Sequence, residues 1–124
     1  MNTVLIIKGK VPAKSSNRRI VWCWNKEKKI PRVISSESVL EYEKIFALQI
    51  PKHAKKNLGE NSRLEVHIEV FTDSFRQDID SFPKTILDNL QKCGVIKNDN
   101  KIDKLTVVRH KDTDCRVVIN IGEL

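Results

Sequence analysis

Cysteine, aromatic side chains and long apolar runs are all scarce in this chain of 124 residues. The three cysteines, Cys23, Cys93 and Cys115, are odd in number and far apart. That spacing argues against a disulfide framework, and against a zinc knuckle, which needs close Cys or His pairs. Each cysteine is read as a small buried hydrophobe. Aromatics make up only 6% of the chain, although apolar residues reach 40%, enough for the core of one compact domain. No stretch approaches the roughly 18 consecutive apolar residues of a membrane-spanning helix. The opening Met1-Asn2-Thr3-Val4-Leu5-Ile6-Ile7-Lys8 has no basic segment ahead of an apolar one, which speaks against a signal peptide. A protein of the cell interior is the expectation.

Aspartate is missing altogether from the first half. Residues 1–60 carry thirteen lysines and arginines against five glutamates, whereas residues 61–124 carry ten against eleven acids, including all eight aspartates. The overall formal charge is +7. A basic half suits a polyanion such as nucleic acid, although a solubilising surface is the commoner reason for such a charge. The aspartate-rich half is what tips the balance, because a plain DNA-binding module has no use for it.

Hydrophobic periodicity divides the chain into short elements. Val4–Ile7 is a continuous apolar run, as in a strand covered on both faces. Residues 9–19 are rich in breakers and small polar residues and read as a loop. The runs 20–24 and 30–34 flank Asn25-Lys26-Glu27-Lys28-Lys29 as a hairpin, with Pro31 making its second arm an edge. Ser35-Ser36 offers a cap for a helix over 37–50, ended by Pro51. Residues 64–71 alternate, with Val66, Ile68 and Val70 on one face. A second helix over 81–92 has Asp80 at its N-cap, Pro83 in its first turn, the stripe Phe82, Ile86, Leu87, Leu90, and Gly94 closing it. Two late strands, 105–109 and 116–121, flank Lys111-Asp112-Thr113-Asp114 and read as a C-terminal β-hairpin. The expected fold is therefore α+β: a single domain over 1–124, a mixed β-sheet, two main helices and that hairpin.

Aspartates gather at two corners of this scheme. Asp78-Ile79-Asp80 lies where a strand meets the second helix, and Asp99 lies in the turn beyond that helix. A D-x-D pair alone means little, since Asp112-Thr113-Asp114 repeats it in a hairpin turn. An N-cap aspartate also needs no metal to explain it. The first pair differs in its company. Lys84 follows Asp80 by four residues, and Asp88 follows Lys84 by four, so all three project from one helix face. Carboxylates that hold a metal beside a cation that meets a phosphate oxygen are the parts used in phosphoryl transfer. A solvated charge ladder has the same spacing.

The stretch Asp78-Ile79-Asp80-Ser81-Phe82-Pro83-Lys84-Thr85-Ile86-Leu87-Asp88-Asn89-Leu90, followed by Gly94-Val95-Ile96-Lys97-Asn98-Asp99, resembles the pattern of RusA-type Holliday junction resolvases. In that family a D-x-D-N-x-x-K opens a helix, a further acid follows on it, and an aspartate turn comes after a glycine. Pro12-Ala13-Lys14-Ser15-Ser16-Asn17 is similar to the family's early P-x-S-x-N loop. One departure is clear: Ser81 stands where Asn is usual, and Pro83 is uncommon there. The resemblance implies a magnesium-dependent endodeoxyribonuclease, with Mn²⁺ able to substitute, that resolves four-way DNA junctions in recombination and repair. It implies Asp78, Asp80 and Asp99 as metal-binding catalytic carboxylates and Lys84 as a catalytic or phosphate-contacting lysine. It also implies a homodimer, because paired opposed cuts need two sites related by a two-fold axis, and a cytoplasmic protein of bacterial or prophage origin.

For the DNA surface the sequence offers the basic first loop and hairpin, with Lys10, Lys14, Asn17, Arg18, Arg19, Lys28 and Lys29 as candidates for phosphate contact. Trp22 and Trp24 share one strand face, where they serve packing or base stacking. His53, His67 and His110 are scattered and read as surface or strand residues, not ligands. Two rival functions share these residues: cleavage of other branched DNA such as flaps or forks, and binding of branched DNA without cleavage.

Overall fold

The computed structural model describes the backbone of residues 3–12, 18–25, 28–35, 37–75 and 77–124, with side chains described outside 18–35. Six strands and two helices follow in the order β1 (Thr3–Lys8), β2 (Arg18–Asn25), β3 (Lys28–Ser35), α1 (Glu37–Gln49), β4 (Leu64–Thr72), α2 (Ser81–Lys92), β5 (Ile102–Lys111) and β6 (Arg116–Glu123). Single 3₁₀ turns occupy Lys52–Ala54 and Asp99–Lys101. The strands β2 and β3 pair with each other in a separate two-stranded sheet, as the hairpin reading expected, with Trp22 opposite Pro31.

The other four strands form one mixed sheet in the order β1-β6-β4-β5. The central strand β4 runs parallel to β5 and antiparallel to β6. This corrects the expected C-terminal hairpin: β5 and β6 are neighbours in sequence but do not pair, because β4 lies between them. The alternating apolar set Leu64, Val66, Ile68 and Val70 of β4 is almost wholly buried, and a central place buries such a strand best. Residues 112–115 therefore cross the end of β4, where the Asp112 N–H donates to the Thr72 carbonyl at 2.9 Å. Two strand spacings, about 9.6 Å, are within the reach of four residues.

Both helices cover one face of this sheet. Tyr42, Phe46 and Ile50 from α1 and its end, and Phe82, Ile86 and Leu90 from α2, form one core with Leu5, Ile7, Ile68, Val117, Ile119 and Ile121. Among the described residues no helix covers the opposite face, which corrects the reading of Val4–Ile7 as covered on both sides. Val4 and Ile6 are each 57% exposed, on an edge strand. The end of β1 is fastened to α1 by the Gln49 amide, whose Oε1 accepts from Lys8 N–H at 2.8 Å and whose Nε2 donates to Lys8 carbonyl at 2.9 Å.

Cys93 and Cys115 are free thiols, both half-buried where the sequence reading had them buried. Among the described residues, no helix is long and apolar enough to cross a membrane.

One core group is chemically mismatched. The Tyr42 hydroxyl is buried and has no hydrogen-bond partner among the described residues, and burial pushes its pKa above the ordinary tyrosine value. Removing an unpaired buried hydroxyl relieves a desolvation cost. Tyr42→Phe is therefore expected to be neutral or to stabilise the fold by up to about 1 kcal/mol, read as the urea midpoint. A clear loss of stability would show that the hydroxyl has a partner.

Candidate active site

The acid turn is built by the chain's exit from β4. Asp78, Ile79 and Asp80 lead into α2, with the Ser81 N–H and hydroxyl both bonded to the Asp78 carbonyl, at 3.1 and 2.7 Å. Ser81 thus fastens the turn, so the exchange of Asn for Ser at this position leaves the helix start tied. Asp80 occupies the N-cap position but its side chain makes no capping hydrogen bond. This leaves its carboxylate uncommitted to the helix, and Asp78, Asp80 and Lys84 are all exposed.

The helix that carries Lys84 is fixed from below and behind. Phe82, Ile86 and Leu90 are fully buried. On the same side Asn89 donates its amide to the Thr85 carbonyl at 2.8 Å. At its far end Gly94, at φ +78°, closes α2: the Gly94 N–H bonds to the Gln91 carbonyl and the Val95 N–H to the Leu90 carbonyl. A glycine at this left-handed position is what ends such a helix without strain.

Two further contacts hold the first loop beside the acid turn. Lys10 pairs with Asp73 at 2.9 Å, and Thr85 donates to the Pro12 carbonyl at 3.4 Å. The Lys10 ammonium holds the Asp73 carboxyl below the usual carboxylate range. The pair is half-exposed and screened by solvent, so it adds little stability.

Arg109 of β5 completes the support. Its Nη1 donates to the Gln77 carbonyl at 2.6 Å, and its guanidinium lies 4.3 Å from the centre of the Phe75 ring. Sequence reading missed Arg109 and Phe75. Arg109 stands 32 positions from Gln77, in a segment legible only as a strand, and no local spacing signals the contact.

Asp99 lies elsewhere. Its N–H donates to the Gln91 Oε1 at 3.1 Å, in the last turn of α2. The turn that holds it is capped by the Asn98 side chain, which accepts from Asn100 N–H at 3.1 Å. Arg63 donates to the Asn100 carbonyl at 2.7 Å and to the Asp103 carboxylate at 2.6 Å, and that bond holds the Asp103 carboxyl below its ordinary range. Asp78, Asp80 and Lys84 thus share one end of α2, and Asp99 occupies the other. Among the described residues of one chain, no three His, Cys, Asp or Glu side chains are grouped to hold a metal ion.

Of the DNA-contact candidates, Lys10 is exposed and paired with Asp73, just past the end of β4. Lys14 and Asn17 lie outside the described residues. Arg18 and Arg19 stand opposite Ser35 and Ile34 at the base of the β2–β3 hairpin, and Lys28 and Lys29 at its tip opposite Asn25 and Trp24; their side chains are not described. The pairs at base and tip are separated by five to seven residues of strand, about 17–23 Å.

The description endodeoxyribonuclease RusA belongs to a family model that matches residues 11–122. The chain belongs to the RusA endodeoxyribonuclease family. No curated protein matches it. The family match covers most of the first loop, the hairpin, the acid turn and Asp99.

Proposed function

We propose that this RusA-family protein resolves four-way DNA junctions by hydrolysing backbone phosphodiesters, acting as a homodimer in DNA recombination and repair. The observation that carries this reading is the acid turn: two exposed carboxylates, Asp78 and Asp80, with the Lys84 ammonium one helical turn further on. Lys84 has the reach to meet a non-bridging phosphate oxygen and to offset the charge that grows there during hydrolysis. Lys10 and the basic hairpin supply non-specific affinity for the phosphate backbone.

The proposed cofactor is Mg²⁺, with Mn²⁺ substituting. Asp78 and Asp80 are hard oxygen donors of the kind these ions take. Within one chain, however, they do not make a three-carboxylate site, because Asp99 stands at the far end of α2. If the turn takes a divalent ion, ion at about ten times its dissociation constant adds about 1.4 kcal/mol of stability, or roughly 3–6 °C of melting temperature. A melting temperature indifferent to both ions would remove the cofactor from the reading.

Labelled four-way junctions, flaps and forks incubated with the wild-type protein and Mg²⁺ test the activity. Symmetrical paired cuts in the junction are expected. Cuts in flaps or forks alone would reassign the substrate, and tight junction binding with no cut by any form would make the chain a binding protein.

A further inference from the structure

We propose that the groove between α1 and α2 docks an acidic peptide segment of a partner protein, one that carries a large apolar side chain. The groove is separate from the acid turn. Its first residue on α2, Asn89, lies nine positions past Asp80, about 14 Å along the helix.

The outer face of α1 gives the first sign. Tyr42, Phe46 and Ile50 pack into the core. At 100° per residue, Leu40, Lys44, Ala47 and Leu48 fall on a second stripe, roughly a third of a turn round the helix. Leu40 on that stripe is 47% exposed, and Leu48 87%. A surface helix ordinarily keeps its apolar residues on one stripe, so α1 holds more of them than the sheet uses. Part of this surplus borders a groove of about 500 Å³, the size of a built ligand site. An ion pair between Glu43 and Lys92, at 2.6 Å, ties the two helices across it.

Three features specify the occupant. Leu40, Ala47 and Cys93 form an apolar part of the lining. Burial pushes the Cys93 thiol up, so it stays neutral there. Lys44 and Lys55 also line the groove, both exposed and neither ion-paired among the described residues. Asn89, only 3% exposed, gives its Nδ2 to the Thr85 carbonyl at 2.8 Å, and its Oδ1 accepts no hydrogen bond among the described residues. A buried acceptor of this kind is costly until a donor meets it.

The apolar lining fits an apolar side chain, the two ammoniums fit carboxylates, and the Asn89 oxygen fits an N–H. A short acidic peptide offers all three within a few residues. A nucleic-acid backbone would bring phosphates to the lysines but leave the apolar lining uncovered, and its sugar-phosphate chain has no N–H. The formal charge of +7 also draws an acidic partner from a distance.

The test adds to the full chain a fluorescein-labelled peptide in which two phenylalanines lie between runs of aspartate. Saturable binding is expected, read as fluorescence anisotropy. Lys44→Glu combined with Lys55→Glu should weaken it more than about tenfold, because local attraction becomes repulsion. Lys104→Glu combined with Lys111→Glu makes the same change of net charge on β5 and should weaken it less than about threefold. Leu40→Ser in the protein, or serines for the phenylalanines in the peptide, should also weaken binding. All five substituted positions are exposed, so the variants should melt close to wild type. Bound peptide should slow the reaction of Cys93 with N-ethylmaleimide and leave Cys115 unchanged, read by mass spectrometry. No saturable binding, an equal loss in the two lysine pairs, or an unprotected Cys93 overturns the proposal. A four-way junction that displaces the peptide and needs Lys44 and Lys55 would give the groove to nucleic acid. A wild-type dimer that Leu40→Ser dissociates would give it to a second copy. Either result also overturns the proposal.

Discussion

Asp80→Asn is expected to lower junction cleavage by about a thousandfold, the upper range for removing one preorganised electrostatic group from an active site, while leaving the protein folded. The second half of that expectation comes from the helix start. An N-cap aspartate commonly bonds to the first helical N–H groups, and its loss then costs about 1 kcal/mol. Here the Asp80 side chain makes no such bond, and the Ser81 hydroxyl and N–H tie the turn instead. Asparagine has nearly the same shape, so the change removes charge and little else. Melting temperature and junction affinity should stay close to wild type, with affinity equal or higher because one anion no longer faces the phosphates. Full activity in this variant would remove Asp80 from the chemistry. Lys84→Ala should lose about a hundredfold for the same electrostatic reason, since the side chain is exposed and its removal leaves no cavity.

Phe82→Ala is expected to be the most damaging single change to the fold. Phe82 is fully buried and is among the largest side chains of the core. Truncating a buried Phe costs about 3–5 kcal/mol, the lost transfer energy together with the cavity left behind. A domain of this size has a total stability of about 5–15 kcal/mol, so the loss is a large share of it. A drop in melting temperature of more than about 10 °C should follow in calorimetry. The position also ties stability to the site, because Phe82 anchors the first turn of α2, between Asp80 and Lys84. Leu48→Ala is the natural control: Leu48 is 87% exposed, and its loss should shift stability by no more than about 0.5 kcal/mol. A mild Phe82→Ala would mean that the turn is held by its polar contacts and not by the core.

Local signals in the sequence were sufficient for the elements. The 3.6-residue stripe Phe82, Ile86, Leu90 and the closing Gly94 fix α2, because helix caps and helix faces are decided within a few residues. The alternation Leu64, Val66, Ile68, Val70 fixes β4 in the same way. The acid turn and Lys84 were equally legible, since four-residue spacing places side chains on one helix face wherever the helix sits.

What the sequence alone could not decide was pairing and distance. The pairing of β5 with β4 in place of β6 depends on which strand buries most by lying in the middle, a comparison among segments tens of residues apart. The brace from Arg109 to Gln77 is of the same kind. The separation of Asp99 from Asp78 and Asp80 is decided there too. A span of twenty-one residues can close on itself or stretch out, and here α2 and β5 are rigid rods that hold its ends apart. Local propensities set the chemistry that each segment carries, and the rigid lengths between the segments determine which groups meet.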